Sequence, residues 1–144
     1  LKLRPQLKLY SIDKRFGSKE MISENARRID VHPQQIYEQD IKEFIELNIG
    51  DAQKLPSRVV IGGCDKETKL TIIKRISIVM AKGGIFVVPV ITIETLQEIK
   101  FILIKLKFQL NITLVQIQKG VSIAEGTRFE PNNPVFIIKA KKIN

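Results

Sequence analysis

Two aspartates and a pair of glycines follow the ends of successive strand-like runs: Asp13 after "LKLYSI", Asp40 after "QQIYEQ", and Gly62-Gly63 after "SRVVI". In an open parallel sheet, ligands sit beyond the carboxyl ends of the strands. A carboxylate at such an end can accept both hydrogen bonds from a ribose diol, and in dinucleotide sites it lies about twenty residues after a glycine-rich loop. Glycines at a strand end let a ligand approach the backbone where a side chain would block it. These residue types in this order point to a ligand that carries a ribose diol. By the same spacing, the phosphate or cofactor loop of such a site falls before Leu1.

Nucleophilic and metal chemistry have little to draw on. His32 stands before Pro33 in a connecting segment, where a surface position is expected, and Cys64 is far from it in sequence. One histidine and one cysteine give neither a catalytic triad nor a usual metal-ligand spacing. No metal is expected.

The elements that must position these residues follow from periodicity. After the first run, "GSKEMISENARRI" places Met21, Ile22, Ala26 and Ile29 on one helical face, with Ser18 as the expected cap. The second run leads to "IKEFIELN", with Ile41, Phe44, Ile45 and Ile49 in phase and Gly50 as the stop. The third leads to "KETKLTIIKRISIVMA", whose Leu70, Ile73, Ile76 and Met80 recur helically. "KGG" turns into "IFVVPV", and Thr92 is placed to cap a fourth helix. Short Val/Ile runs alternating with amphipathic helices predict an α/β, doubly wound, Rossmann-like sheet, mostly parallel.

After Phe108 the pattern changes. Gln109 to Gln118 and Asn133 to Lys141 both read as strands, joined by "KGVSIAEGTRFEPN", which lacks a helical period. Strands joined without a crossover helix pair antiparallel, so the sheet is expected to close on a C-terminal antiparallel hairpin.

The 144 residues carry 44% hydrophobic and 27% charged side chains, ordinary for a globular protein of one domain, taken as 1–144. The longest apolar run, Gly84 to Ile93, is interrupted by Pro89 and far short of the ~20 residues of a membrane span. No secretory signal is read at the start, and a lone cysteine excludes a disulfide framework within the chain, so a cytoplasmic setting is expected. The formal net charge is +9, and from Ile99 onward eight Lys and Arg stand against Glu125 and Glu130. A basic balance suits nucleic acid, an anionic surface or an acidic small molecule, and sign alone does not choose among them.

The segments "LYSIDKRFGSKEMISENARRI", "YEQDIKEFI", "RVVIGG", "AKGGIFVVPVITIETL" and "NPVFIIKAKK", in order over nearly the whole chain, resemble the decarboxylating precorrin methyltransferases. These are enzymes of the vitamin B12 pathway that methylate carbon 15 of precorrin-6B or its cobalt form. The resemblance implies S-adenosyl-L-methionine as cofactor, with Asp13 on the ribose hydroxyls, Asp40 and the backbone at Ile41 on the adenine, and Gly62 and Gly63 leaving room where methyl transfer occurs. It implies a tetrapyrrole rich in acetate and propionate groups as substrate. Lys119 and Arg128 are then candidate carboxylate ligands, and Cys64, where the family usually has serine, a small residue beside the pocket. It implies a homo-oligomer, and a first strand with a glycine-rich turn preceding Leu1. The sequence departs from the family at Pro89, where a polar amide is usual. Two other readings remain open: an RNA methyltransferase of similar architecture, though "GGCDKE" replaces the Asn/Asp-Pro-Pro-aromatic motif of base-amino methyltransferases, and a non-catalytic interaction domain with a degenerate methyltransferase fold.

Overall fold

The computed structural model describes residues 1–48, 50 and 56–143. They fall into two compact units, Leu1–Gly50 and Asp51–Asn144, each described by itself.

The first unit alternates strand and helix: β1 (Tyr10–Asp13), α1 (Ser18–Arg28), β2 (Gln35–Glu38) and α2 (Ile41–Asn48). β1 and β2 pair in parallel with Asp13 opposite Glu38, and the Gln39 amide extends the ladder by donating to the Asp13 carbonyl at 3.1 Å. Of the helical face expected in α1, Ala26 is buried whereas Met21 and Ile29 are exposed. In α2 the inward residue is Ile45, and Tyr37 of β2 packs its ring at 4.8 Å from that of Phe44. Ile49, placed in phase by the sequence, lies outside the described residues.

The expected cap of α1 is corrected. Gly17 holds the cap position at φ 76, and Ser18 is the first helical residue, wholly buried, with its hydroxyl donating to the Asp13 carbonyl at 3.2 Å. Glu38 does the capping from across the strand pair, its Oε2 accepting the Lys19 amide at 3.2 Å. A carboxylate on first-turn amides both satisfies a donor and complements the positive helix end.

The second unit contains β3 (Arg58–Val60), α3 (Lys66–Val79), β4 (Ile85–Val90), α4 (Ile93–Lys105), β5 (Phe108–Val115), β6 (Gln118–Ile123), β7 (Gly126–Pro131) and β8 (Val135–Lys142). Four strands form one mixed sheet in the order β3-β4-β8-β5, parallel at β3–β4 and antiparallel on both sides of β8. The antiparallel pairing of the last long strands is as the sequence predicts. Their connection is more ordered than expected: β6 and β7 form a two-stranded hairpin of their own.

The core lies under one face of this sheet. Phe86, Val88 and Val90 of β4 alternate inward, with Ile138 and Ala140 of β8, Phe108 of β5, Ile73 of α3, and Ile99 and Leu103 of α4. Period-two burial on β4 beside 3.6-residue spacing on the helices is what a sheet covered by helices requires. Asp65 caps α3 by accepting the Thr68 amide at 2.8 Å, and Thr92 caps α4, as expected, through the Thr95 amide at 3.3 Å.

Pro89 is accommodated by register. The Ile85 amide donates to Ser57 and the Val87 carbonyl accepts from Ile61, so alternate residues of β4 address β3. Pro89 points its nitrogen the same way, past Val60, and its missing donor costs the β4–β8 ladder nothing.

Candidate functional site

The strand ends bring the proposed residues into three groups. In the first unit, Asp13 closes β1 while Asp40 stands two residues beyond the end of β2, so the strand-end acid of β2 is Glu38 and not Asp40. Asp40 is instead the N-terminal cap of α2. Its Oδ1 accepts the Lys42 amide at 2.8 Å and its carbonyl accepts the Phe44 amide at 3.0 Å. Ile41 opens the helix, and its N–H is among the first-turn donors that no helical carbonyl can satisfy. Asp13, Asp40 and Ile41 thus lie at one end of the β1–β2 pair, and Lys14 between them reaches Asp40 at 3.9 Å.

Asp13 is engaged by Arg15. The Arg15 amide and Nε meet Oδ1 at 3.0 and 3.1 Å, and Nε and Nη2 meet Oδ2 at 3.2 and 2.6 Å. These charge-assisted bonds hold the Asp13 carboxyl down at about 2, and the same contact raises the Arg15 guanidinium above its ordinary value. Asp13 is therefore an anion at any physiological pH.

In the second unit, Gly62, Gly63 and Cys64 form the turn after β3. The Cys64 amide donates to the Gly62 carbonyl at 3.0 Å, closing a three-residue turn. Neither glycine has the positive φ that would demand glycine, and among the described residues nothing lies within 4 Å of a Cβ built on either. The local fold does not require glycine here; the space above the turn is open. Beneath it, Lys69 of α3 is only 8% exposed and donates from Nζ to the Cys64 carbonyl, fixing the turn to the helix. Lys66, at the start of the same helix, pairs with Glu98 of α4 at 2.9 Å, and that carboxylate raises the lysine's pKa.

Lys119 and Arg128 lie on β6 and β7, within the segment whose sequence lacks a helical period. Register places Lys119 opposite Glu130 and Arg128 opposite Val121, so both basic side chains share one face of the hairpin. Arg128 is ion-paired with Glu130 on its own strand.

Sequence reasoning missed Lys14, Arg15, Glu38 and Lys69. The adjacency of "DKR" was the available signal for the first two; the others depend on which strands and turns meet. His32 is a surface residue, 3.8 Å from an equally exposed Asp30. Two clefts of the first unit, about 420 and 230 Å³, lie around Val31 and His32 ahead of β2, at the opposite end from Asp13. Among the described residues no helix is long and apolar enough to cross a membrane.

This architecture is that of the class I, Rossmann-like methyltransferases. It superposes on an S-adenosylmethionine-dependent O-methyltransferase from Thermotoga maritima with a TM-score of 0.68 over 97% of this chain and 51% of that one, at 18% identity. Within that class, the family model of the Precorrin methyltransferase domain matches residues 1–142, and the chain belongs to this family. A similar curated protein is the probable cobalt-precorrin-6B C(15)-methyltransferase (decarboxylating) of Saccharolobus solfataricus, 29% identical over 136 residues covering 94% of this chain. The chain spans 66% of that relative's length. A similar solved structure is precorrin 8W decarboxylase from Methanobacterium thermoautotrophicum, 27% identical, with a TM-score of 0.73 over 92% of this chain and 69% of that one.

Proposed function

We propose that this protein is an S-adenosylmethionine-dependent C-methyltransferase that methylates a precorrin at carbon 15 with decarboxylation, in cobalamin biosynthesis. The observation that carries the reading is the family match over residues 1–142 together with the decarboxylating C(15)-methyltransferase relative.

The residues present suit the cofactor. Asp13 offers an ionised carboxylate at a strand tip for the ribose hydroxyls, and Asp40 with the Ile41 amide offers an acceptor and a donor beside it for adenine. Gly62 and Gly63 leave open backbone, with Cys64 as the small residue at its edge. When bound, the sulfonium supplies an activated methyl group, so the protein's task is alignment and exclusion of water. Lys119 and Arg128, on one hairpin face, supply ammonium and guanidinium donors for peripheral carboxylates of the tetrapyrrole.

Self-association belongs to the same reading. Leu114, Ile117, Ile123 and Phe129, at the outer end of β5 and on the hairpin, are exposed by 47 to 69%. Burying exposed apolar side chains such as these against a second copy would remove them from water.

The test is calorimetry of the full-length protein with S-adenosylhomocysteine, followed by a transfer assay on precorrin-6B and its cobalt form that scores added methyl mass and released carbon dioxide. Binding with both products supports the proposal. A folded protein that binds no S-adenosylhomocysteine and transfers no methyl group overturns it.

A further inference from the structure

We infer that Arg15 is a built-in competitor for the nucleoside diol at Asp13, its guanidinium contacting the same carboxylate oxygens that the diol needs. The inference rests on the reading of Asp13 as the ribose ligand. An ionised carboxylate has about four lone-pair sites. Three Arg15 N–H groups address them: the amide meets Oδ1 at 3.0 Å, Nη2 meets Oδ2 at 2.6 Å, and the single Nε hydrogen is shared between Oδ1 at 3.1 Å and Oδ2 at 3.2 Å. The amide contact belongs to the backbone turn after β1 and persists whatever is bound. The guanidinium contacts do not.

A diol brings two O–H donors to the same two oxygens, and a bidentate guanidinium and a bidentate diol cannot share one carboxylate edge. Binding is thus an exchange of partners. It is an exchange the ligand can win, because the Arg15 side chain is 72% exposed and regains its hydration and rotamer freedom on leaving. Lys14 repeats the arrangement more loosely at Asp40, 3.9 Å away. The two consecutive basic residues that follow β1 therefore cover both candidate carboxylates of this unit. A guanidinium that must be displaced lowers the net affinity for the diol.

Calorimetry with S-adenosylhomocysteine on the full-length wild type and on Arg15→Ala, Arg15→Gln, Asp13→Ala and the Asp13→Ala/Arg15→Ala double variant tests this. Removing an exposed ion-pair competitor should tighten binding by about two- to fivefold in both Arg15 variants. The gain should vanish in the Asp13→Ala background. S-adenosylhomocysteine carries no net charge, so raising salt should weaken the competing pair more than the ligand contact, and wild-type affinity should rise with ionic strength while that of Arg15→Ala stays flat. If Asp13→Ala weakens binding but the Arg15 variants bind no more tightly than wild type, the competitor role is overturned and the ribose assignment stands. If Asp13→Ala binds as wild type does, the ribose assignment itself fails and takes the competitor with it.

Discussion

Lys142 donates from Nζ to the carbonyl oxygen of Met80 at 2.7 Å, and the same ammonium reaches the carbonyl of Ser77, also at 2.7 Å. A cation from the last strand thereby satisfies carbonyls at the C-terminal end of α3, where the helix leaves acceptors unpaired and its dipole is negative. β8 is also the strand that joins β4 to β5, so this contact ties the closing strand of the sheet to a helix that covers it.

Replacing Lys142 by Met keeps the stem and removes the charge. Unfolding in urea should show a loss of about 1.5–3 kcal/mol, the range for hydrogen bonds to a charged group. No change in midpoint would mean that water serves these carbonyls equally well.

The glycines of the second unit separate into two kinds. Gly83 has φ 82, and a Cβ on Gly84 would collide with the Met80 side chain and lie 2.9 Å from the Ala81 carbonyl oxygen. Gly62 and Gly63 have neither constraint. Gly83→Ala should therefore cost about 1–2 kcal/mol of stability through its left-handed backbone. Gly62→Ala and Gly63→Ala should leave stability unchanged or raise it by up to about 1 kcal/mol, since they reduce the freedom of the unfolded chain. Their effect should appear instead as a fall in kcat/KM of methyl transfer. Thermal melts alongside the transfer assay distinguish the two; a destabilised Gly62→Ala with normal turnover would make the pair structural.

Much of this arrangement is legible in the chain. "RVV", "IFVVPV" and "VFIIKAK" announce strands because their Val and Ile content suits buried pleats, and Thr92 announces its helix because a hydroxyl before an apolar period is a cap. The Ser18 cap fails because Gly17 takes the cap position and the Ser18 hydroxyl donates to the Asp13 carbonyl, while Glu38, brought close by the β1–β2 pairing, accepts the Lys19 amide. Asp40 was legible as an acid near a strand end but not as a helix cap, since strand and helix signals meet within two residues there. The β6–β7 hairpin was hidden because its exposed strands, with Gly120 and Gly126, carry no buried period. Partner choice among neighbouring charges, as at Lys14 and Arg15, is set by backbone direction after β1, which composition does not encode.

Asp13 provides a titration. Arg15 holds its carboxyl at about 2 against an ordinary 3.8. A folded value below the unfolded one means that the ion pair contributes its full stabilisation above a pH of about 4 and loses it as pH falls through the folded value. Carbon-detected NMR of the Asp13 carboxyl should find no titration above that range in the wild type, and Arg15→Ala should move the midpoint up toward the ordinary value. An unshifted midpoint in the variant would show that the backbone amide alone holds the carboxylate.

The substrate side of the proposal turns on Glu130. It lies opposite Lys119 in register and is ion-paired with Arg128, so a carboxylate already stands among the basic candidates of the hairpin face. If these residues receive acetate and propionate groups of the tetrapyrrole, a substrate carboxylate takes over the role that Glu130 holds without it. Arg128→Ala should then raise KM for the precorrin by about three- to tenfold, the range for one exposed to partly desolvated ion pair, and leave affinity for S-adenosylhomocysteine untouched. Glu130→Gln should move KM in the opposite direction, because Arg128 is released to the substrate. Steady-state kinetics on the two variants decide the matter: an unchanged KM in both would remove the hairpin face from the substrate pocket and leave its charge as solvated surface.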